Sequence, residues 1–161
     1  LMAKKADVTY RNPDDRKRLK ALNLTPEYSP VLWFPTPVVL GYAESLGQER
    51  LHNLWPMRSL HEVGARTVIG SDGPLFWQEP LTTLELAITR KSPGDPNGEA
   101  LGAAEALDLA TAIKGKTLNA ANLRDYDNSS GSIETGKYAD IIILDQNLFE
   151  NPNHKISATK L

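Results

Sequence analysis

The chain has 161 residues, about the size of one ordinary domain. That is too short for a complete (β/α)₈ barrel, which takes about 250 residues. Eighteen Lys and Arg stand against twenty Asp and Glu, a net charge of −2, and this balance argues against a nucleic-acid binder that relies on a dominant basic surface. There is no cysteine, which excludes disulfides, thiolate metal sites and cysteine nucleophiles together and is compatible with the cytoplasm.

The chain opens Leu1-Met2-Ala3-Lys4-Lys5 and turns polar, without the apolar stretch that a signal peptide needs. The longest apolar runs, Val38–Leu40 and Ile141–Leu144, fall far short of the roughly 20 residues that span a bilayer. A soluble, cytoplasmic protein with no membrane partner is therefore expected. Residues 1–20 are net +4 and residues 125–150 net −5, which reads as two solvated faces.

Asn12 can cap a helix, Pro13 suits its first position, and Asp14 and Asp15 favour the positive end of the helix dipole. Leu19 and Leu22 give that helix, over residues 12–22, an apolar edge. Leu24–Tyr28 reads as extended. Residues 30–40 hold Pro30, Pro35 and Pro37 around Trp33 and Phe34, and read as an irregular loop rather than a helix. A helical stretch is expected over Glu49–Val63, kinked or divided at Pro56 and closed by Gly64. Arg66–Gly70 is a β-branched strand of the buried type, followed by Gly70-Ser71-Asp72-Gly73-Pro74. Helix resumes over Leu81–Arg90. Helix, buried strand, helix is the repeating unit of a parallel α/β architecture. Residues 92–98 form a loop, Ala103–Ile113 and Asn119–Leu123 read as helices, and Ile141–Leu144 as a strand. The turn-rich residues 125–131 set an expected boundary between units 1–124 and 125–161.

Several motif fragments fail on context. Gly131 to Lys137 has the spacing of a phosphate loop, but Tyr138 stands where Ser or Thr would meet Mg²⁺, and a strand follows where a helix should begin. Gly115-Lys116-Thr117 has Ala110 in place of the first glycine. His61-Glu62 opens like a zinc-protease motif, but Ala65 replaces the second histidine. His52, His61 and His154 have no second ligand at a helical or strand spacing, and each reads as a surface or structural residue. Asp72 is different. It follows a buried strand, where parallel α/β folds place active-site groups; the alternative is a turn aspartate bonding its own backbone before Gly73-Pro74. Arg58 also has two readings: an anchor for a substrate carboxylate or acyl oxygen, or the i,i+4 partner of Glu62 on one helix.

Trp55-Pro56-Met57-Arg58-Ser59-Leu60, Gly64-Ala65-Arg66 and Gly70-Ser71-Asp72 resemble amidohydrolase family 3, the metal-dependent hydrolases of the amidohydrolase superfamily. Pro80-Leu81 with Glu85, Thr89 and Arg90, then Ser92-Pro93-Gly94, continue the pattern. Thr117-Leu118-Asn119-Ala120-Ala121 is similar to the family's Thr-x-Asn-Ala-Ala helix, and Gly131-Ser132-Ile133-Glu134 with Gly136-Lys137 and Ala139-Asp140 to the superfamily's C-terminal signature. The resemblance runs through nearly the whole chain in one order. It implies an α/β fold, a partial TIM (β/α)₈ barrel made of the last strands and helices plus part of a small β-sandwich built from both chain ends. Residues 12–22 would be the sixth barrel helix, Leu24–Tyr28 strand seven, Thr67–Ile69 strand eight and Leu81–Arg90 helix eight.

The resemblance further implies that Asp72 is a metal ligand and the base that takes a proton from metal-bound water. The chemistry explains the choice of residue. An amide carbonyl is a poor electrophile and water a poor nucleophile; a zinc-type ion lowers the pKa of its bound water to about 7 and polarises the carbonyl. A nearby carboxylate can accept the proton and pass it to the leaving nitrogen. The implied activity is hydrolysis of non-peptide C–N bonds in small amide-type substrates, with a divalent metal, zinc, in the full-length protein. In the family the other ligands come from a His-x-His and later histidines, and neither a His-x-His nor a histidine in Ala3–Tyr10 is present here. Gly73 stands where the family usually has Trp, with Trp77 a possible substitute. The chain is thus expected to be a C-terminal portion that binds no metal and turns over nothing alone, and to self-associate through exposed strand edges. The alternative is a non-catalytic regulatory or interaction module that keeps the hydrolase framework.

Overall fold

The computed structural model describes residues 5–7, 13–72 and 79–161. Three short strands, β1 (Lys5–Asp7), β2 (Thr25–Tyr28) and β3 (Val68–Ile69), form a parallel sheet in the order β1-β2-β3. Thr25 pairs with Lys5, and Tyr28 with Ile69. Helix α1 (Pro13–Ala21) joins β1 to β2. Helices α2 (Pro37–Leu46), α3 (Gln48–His52) and α4 (Met57–Glu62) lie between β2 and β3, and α5 (Pro80–Thr89), α6 (Leu109–Lys116) and α7 (Leu118–Leu123) follow β3. Short 3₁₀ turns occur at Pro30–Leu32, Ala103–Glu105 and Asn153–Ala158. No helix among the described residues is long and apolar enough to cross a membrane.

Side-chain alternation assigns the two faces of the sheet. Tyr28 and Ile69 pair across β2 and β3 and join one apolar core with Trp33, Met57, Leu60, Leu84 and Ala87. Glu27 and Val68, the preceding pair, point to the other face. Leu19 is buried in that core, whereas Leu22, past the end of α1, is exposed, so the expected apolar edge has one member rather than two. Asn23 ends the helix with φ +51°. Asn12, the expected cap, lies outside the described residues.

Pro56 divides the expected 49–63 helix into α3 and α4, and Gly64 follows with φ +80°. Three other expectations need correction. Residues 37–40 are not loop but the start of α2: a proline at a first helical position has no N–H to lose, and Thr36 Oγ1 accepts the Val39 N–H at 3.2 Å. Residues 103–113 are not one helix. After the turn at Ala103–Glu105, Leu107 N–H donates to the Ala87 carbonyl at 3.0 Å, and Asp108 starts α6 afresh by accepting the Thr111 N–H at 2.9 Å. Finally, Ile141–Leu144 joins no sheet among the described residues, and Ile141, Ile142 and Ile143 are each more than half exposed. A β-branched run favours extended backbone, but a strand exists only where a second strand takes its hydrogen bonds.

The elements are locked together by Arg90, the residue after α5, in a left-handed conformation with φ +59°. Its side chain is fully buried. Nε donates to Leu101 O at 2.8 Å, Nη2 to Leu54 O at 3.0 Å and Nη1 to Trp55 O at 3.3 Å, and the guanidinium lies 5.0 Å from the centre of the Trp33 ring. Burial pulls its pKa down to about 10, against the opposing charge of Glu105, so it remains a cation at neutral pH. Gly102 is required beside it: a Cβ there would stand 2.5 Å from the His52 carbonyl oxygen. Replacing Arg90 with Met should cost about 2–4 kcal/mol, because three buried carbonyls lose their donors. Arg90→Lys should restore only part of this. Urea unfolding of the two variants measures it, and a loss under about 1 kcal/mol in R90M would show that the carbonyls find water instead.

Candidate functional site

Strand β3 is held from the helix side. Asn119, near the start of α7, donates from Nδ2 to the buried Thr67 carbonyl at 2.8 Å. Gly115 lets α6 approach closely; a Cβ there would touch the Ile69 side chain at 3.3 Å. Beyond the strand, Gly70 N–H donates to the Tyr28 carbonyl at 2.7 Å, carrying the pairing with β2 one residue further. The chain then leaves the sheet through Ser71 and Asp72. Asp72 has φ +52°, a left-handed conformation that Asp tolerates better than most residues. Its side chain is exposed at the carboxyl end of the parallel sheet and makes no hydrogen bond or ion pair among the described residues. Gly73 and Trp77 lie outside the described residues.

Glu27 is a residue that sequence reading missed. Its carboxylate lies over Gly70, in the space a Cβ would occupy, on the sheet face opposite the core. In the structure it is a half-buried acid inside a four-residue strand whose other three members are buried. It brings a second acidic side chain to the sheet end from which Asp72 departs.

Arg58 is elsewhere. It lies on α4, with Nε 3.0 Å from Glu62 Oε1, both side chains exposed. The groove beside it, about 370 Å³, is lined by Arg58, His61, Glu62, Ala106, Leu107 and Asp108, and not by Asp72. The structure therefore does not bring the two sequence-predicted site residues together. Lys137, in the rejected phosphate-loop motif, donates to Ser132 Oγ at 2.6 Å and lies 3.3 Å from Glu134 Oε1. No three His, Cys, Asp or Glu side chains among the described residues come together as a metal-ligand set. A catalytic metal takes at least three protein ligands, so the described residues do not by themselves fit one.

The fold so described matches solved structures. The chain superposes with a TM-score of 0.74 on an uncharacterized metal-dependent hydrolase from Pyrococcus horikoshii OT3, at 21% identity, over 92% of this chain and 30% of that one. The sequence profile of the amidohydrolase family matches residues 3–161, and the chain belongs to that family. Among the relatives it matches, the N-substituted formamide deformylase of Arthrobacter pascens is 29% identical over 81% of this chain and 23% of its own length. Protein LONG AFTER FAR-RED 3 of Arabidopsis thaliana is 30% identical over 74% of this chain and 20% of its own. The chain spans about a fifth of the length of the curated relatives it matches.

Asp108 offers a pH-dependent check on the framework beside Arg58. Hydrogen bonds from Thr111 hold its carboxyl below the ordinary carboxylate range. A depressed folded-state pKa contributes stability above the unfolded value and loses it as pH falls through the folded value. Asp108→Ala should therefore cost about 1 kcal/mol at neutral pH, with the deficit shrinking below the usual carboxylate range. Asp108→Asn, still a cap, should retain most of the stability. Urea unfolding across acid pH reads both, and a pH-independent deficit in D108A would sink the assignment.

Proposed function

We propose that the chain is the C-terminal portion of a metal-dependent hydrolase acting on non-peptide C–N bonds of small amide-type molecules. In this reading β1, β2 and β3 are the sixth, seventh and eighth strands of a (β/α)₈ barrel, and residues from about 125 to 161 are part of a composite β-sandwich. Asp72 is the carboxylate that this portion contributes to the reaction centre. The observation that carries the proposal is the placement of Asp72. It is an exposed carboxylate, bound to no described neighbour, at the carboxyl end of the last strand of a parallel sheet. That is the end at which parallel α/β enzymes assemble catalytic groups. The relative from Arthrobacter pascens, whose name states that it deformylates N-substituted formamides, supports the bond type. The divalent metal, zinc by family resemblance, requires ligands beyond the described residues. Arg58 enters only as a secondary substrate-anchoring candidate, since its charge already faces Glu62.

Titration of the 161-residue chain with zinc in a calorimeter should show no tight 1:1 binding, and an amide-hydrolysis screen no turnover. Tight stoichiometric binding together with turnover would overthrow the division of the site. The gene sequence upstream of Leu1 tests the enzyme reading itself. A His-x-His and two further histidines there support it, and their absence favours a non-catalytic module. The exposed Ile141–Ile143 run predicts self-association. Sedimentation should show species larger than the 17.7 kDa monomer, reduced by Ile142→Lys; a monodisperse monomer would count against it.

A further inference from the structure

A groove of about 580 Å³ lies between helices α6 and α7 and the segment 130–142, and Asp72 is not among its lining residues. Lys116, the last residue of α6, lines it and is half-buried. Its ammonium has no hydrogen bond or ion pair with any described residue. Lys137 lines the same groove but is engaged by Ser132 and Glu134. The pair is a natural contrast: two amines on one cavity, one bound to an acid and a hydroxyl, the other bound to no described residue.

We propose that Lys116 is a nucleophilic amine and that this groove takes a small aldehyde, which condenses with it to an imine. The neutral amine attacks the carbonyl carbon, a C–N bond forms, and the carbonyl oxygen leaves as water with both protons of the amine. No oxidant or reductant is needed.

Burial without a compensating carboxylate pulls the Lys116 pKa down to about 8. The groove's other charged and titratable groups are Arg124, the residue after α7, and Glu134, Lys137, Tyr138 and Asp140 from the following segment. The remaining elements packed on α6 bring Arg66 before β3, bonded to Asn122, and Glu85 of α5, bonded to Gly94 and Ser157. None of these makes a hydrogen bond or ion pair with Lys116. At pH 7 an ordinary lysine is neutral in roughly one molecule in three thousand, whereas one titrating near 8 is neutral in roughly one in ten. The weaker basicity takes back about tenfold of that gain. An advantage of roughly 30-fold over an ordinary exposed lysine remains. The groove is large enough for a small molecule.

The test uses the full chain with pyridoxal, trapped by cyanoborohydride and mapped by peptide mass spectrometry. The modification at Lys116 should lead that at the exposed Lys114 by roughly 30-fold at pH 7, with a rate that rises to a midpoint near pH 8. The preference should vanish in denaturing urea. Lys116→Arg should lose this adduct and leave the circular dichroism spectrum and the labelling of other lysines unchanged. Lys116 labelling no faster than Lys114, or a preference that persists in urea, overturns the proposal. So does labelling of Lys137 ahead of Lys116.

Discussion

Arg90 is a cation in the interior whose acceptors are three neutral carbonyl oxygens and the face of an indole ring. A buried charge is tolerated only where its donors are matched. These acceptors come from Leu54 and Trp55, between α3 and α4, and from Leu101, far along the chain. One side chain therefore fixes where the α3–α4 junction, the end of α5 and the turn at Leu101 meet. The Leu101 N–H returns the bond to the Arg90 carbonyl at 2.9 Å. The geometry is specific to a planar, forked donor; a point charge on a flexible stem could not address three separated carbonyls at once.

Two buried acids extend the same logic. Glu85 accepts the N–H groups of Gly94 at 2.6 Å and Ser157 at 2.7 Å, tying the C-terminal 3₁₀ turn to α5. Glu105 accepts from the Ser59 N–H and hydroxyl and lies 3.7 Å from Arg16, joining the second 3₁₀ turn to α4 and α1. Strand β3 itself is held by Asn119 on Thr67, by its pairing with β2 and by the close approach of α6 at Gly115, and Asp72 leaves the sheet just beyond it. The carboxyl end of the sheet that results bears the exposed Asp72 carboxylate, with Glu27 on the adjacent strand.

Much of this was legible from residue order. The punctuation at Pro56 and Gly64 is local, and the structure follows it. Pro37 misled because the same residue ends a helix from inside and starts one from its first position, and only Thr36 behind it distinguishes the two. Ile141–Leu144 misled because strand propensity is a statement about a partner that a single segment cannot supply. Glu27 was passed over because its meaning lies in Gly70, a residue 43 positions away that leaves room for its carboxylate. Lys116 was read only within a failed phosphate motif, since burial without a partner has no sequence pattern.

Sequence alone determined the helices around residues 13–21, 57–62 and 80–89 and the strands between them, because backbone sterics, capping and side-chain periodicity act over a few residues; the amidohydrolase resemblance and the candidacy of Asp72 came from ordered motifs along the chain. The tertiary structure decided that Arg90 would be the central lock, that Arg58 would sit apart from Asp72 and face Glu62, and that Asp72 would be exposed at the sheet's end. Those outcomes depend on which distant carbonyls, glycines and acids converge, and convergence is a property of the packed chain rather than of any local stretch.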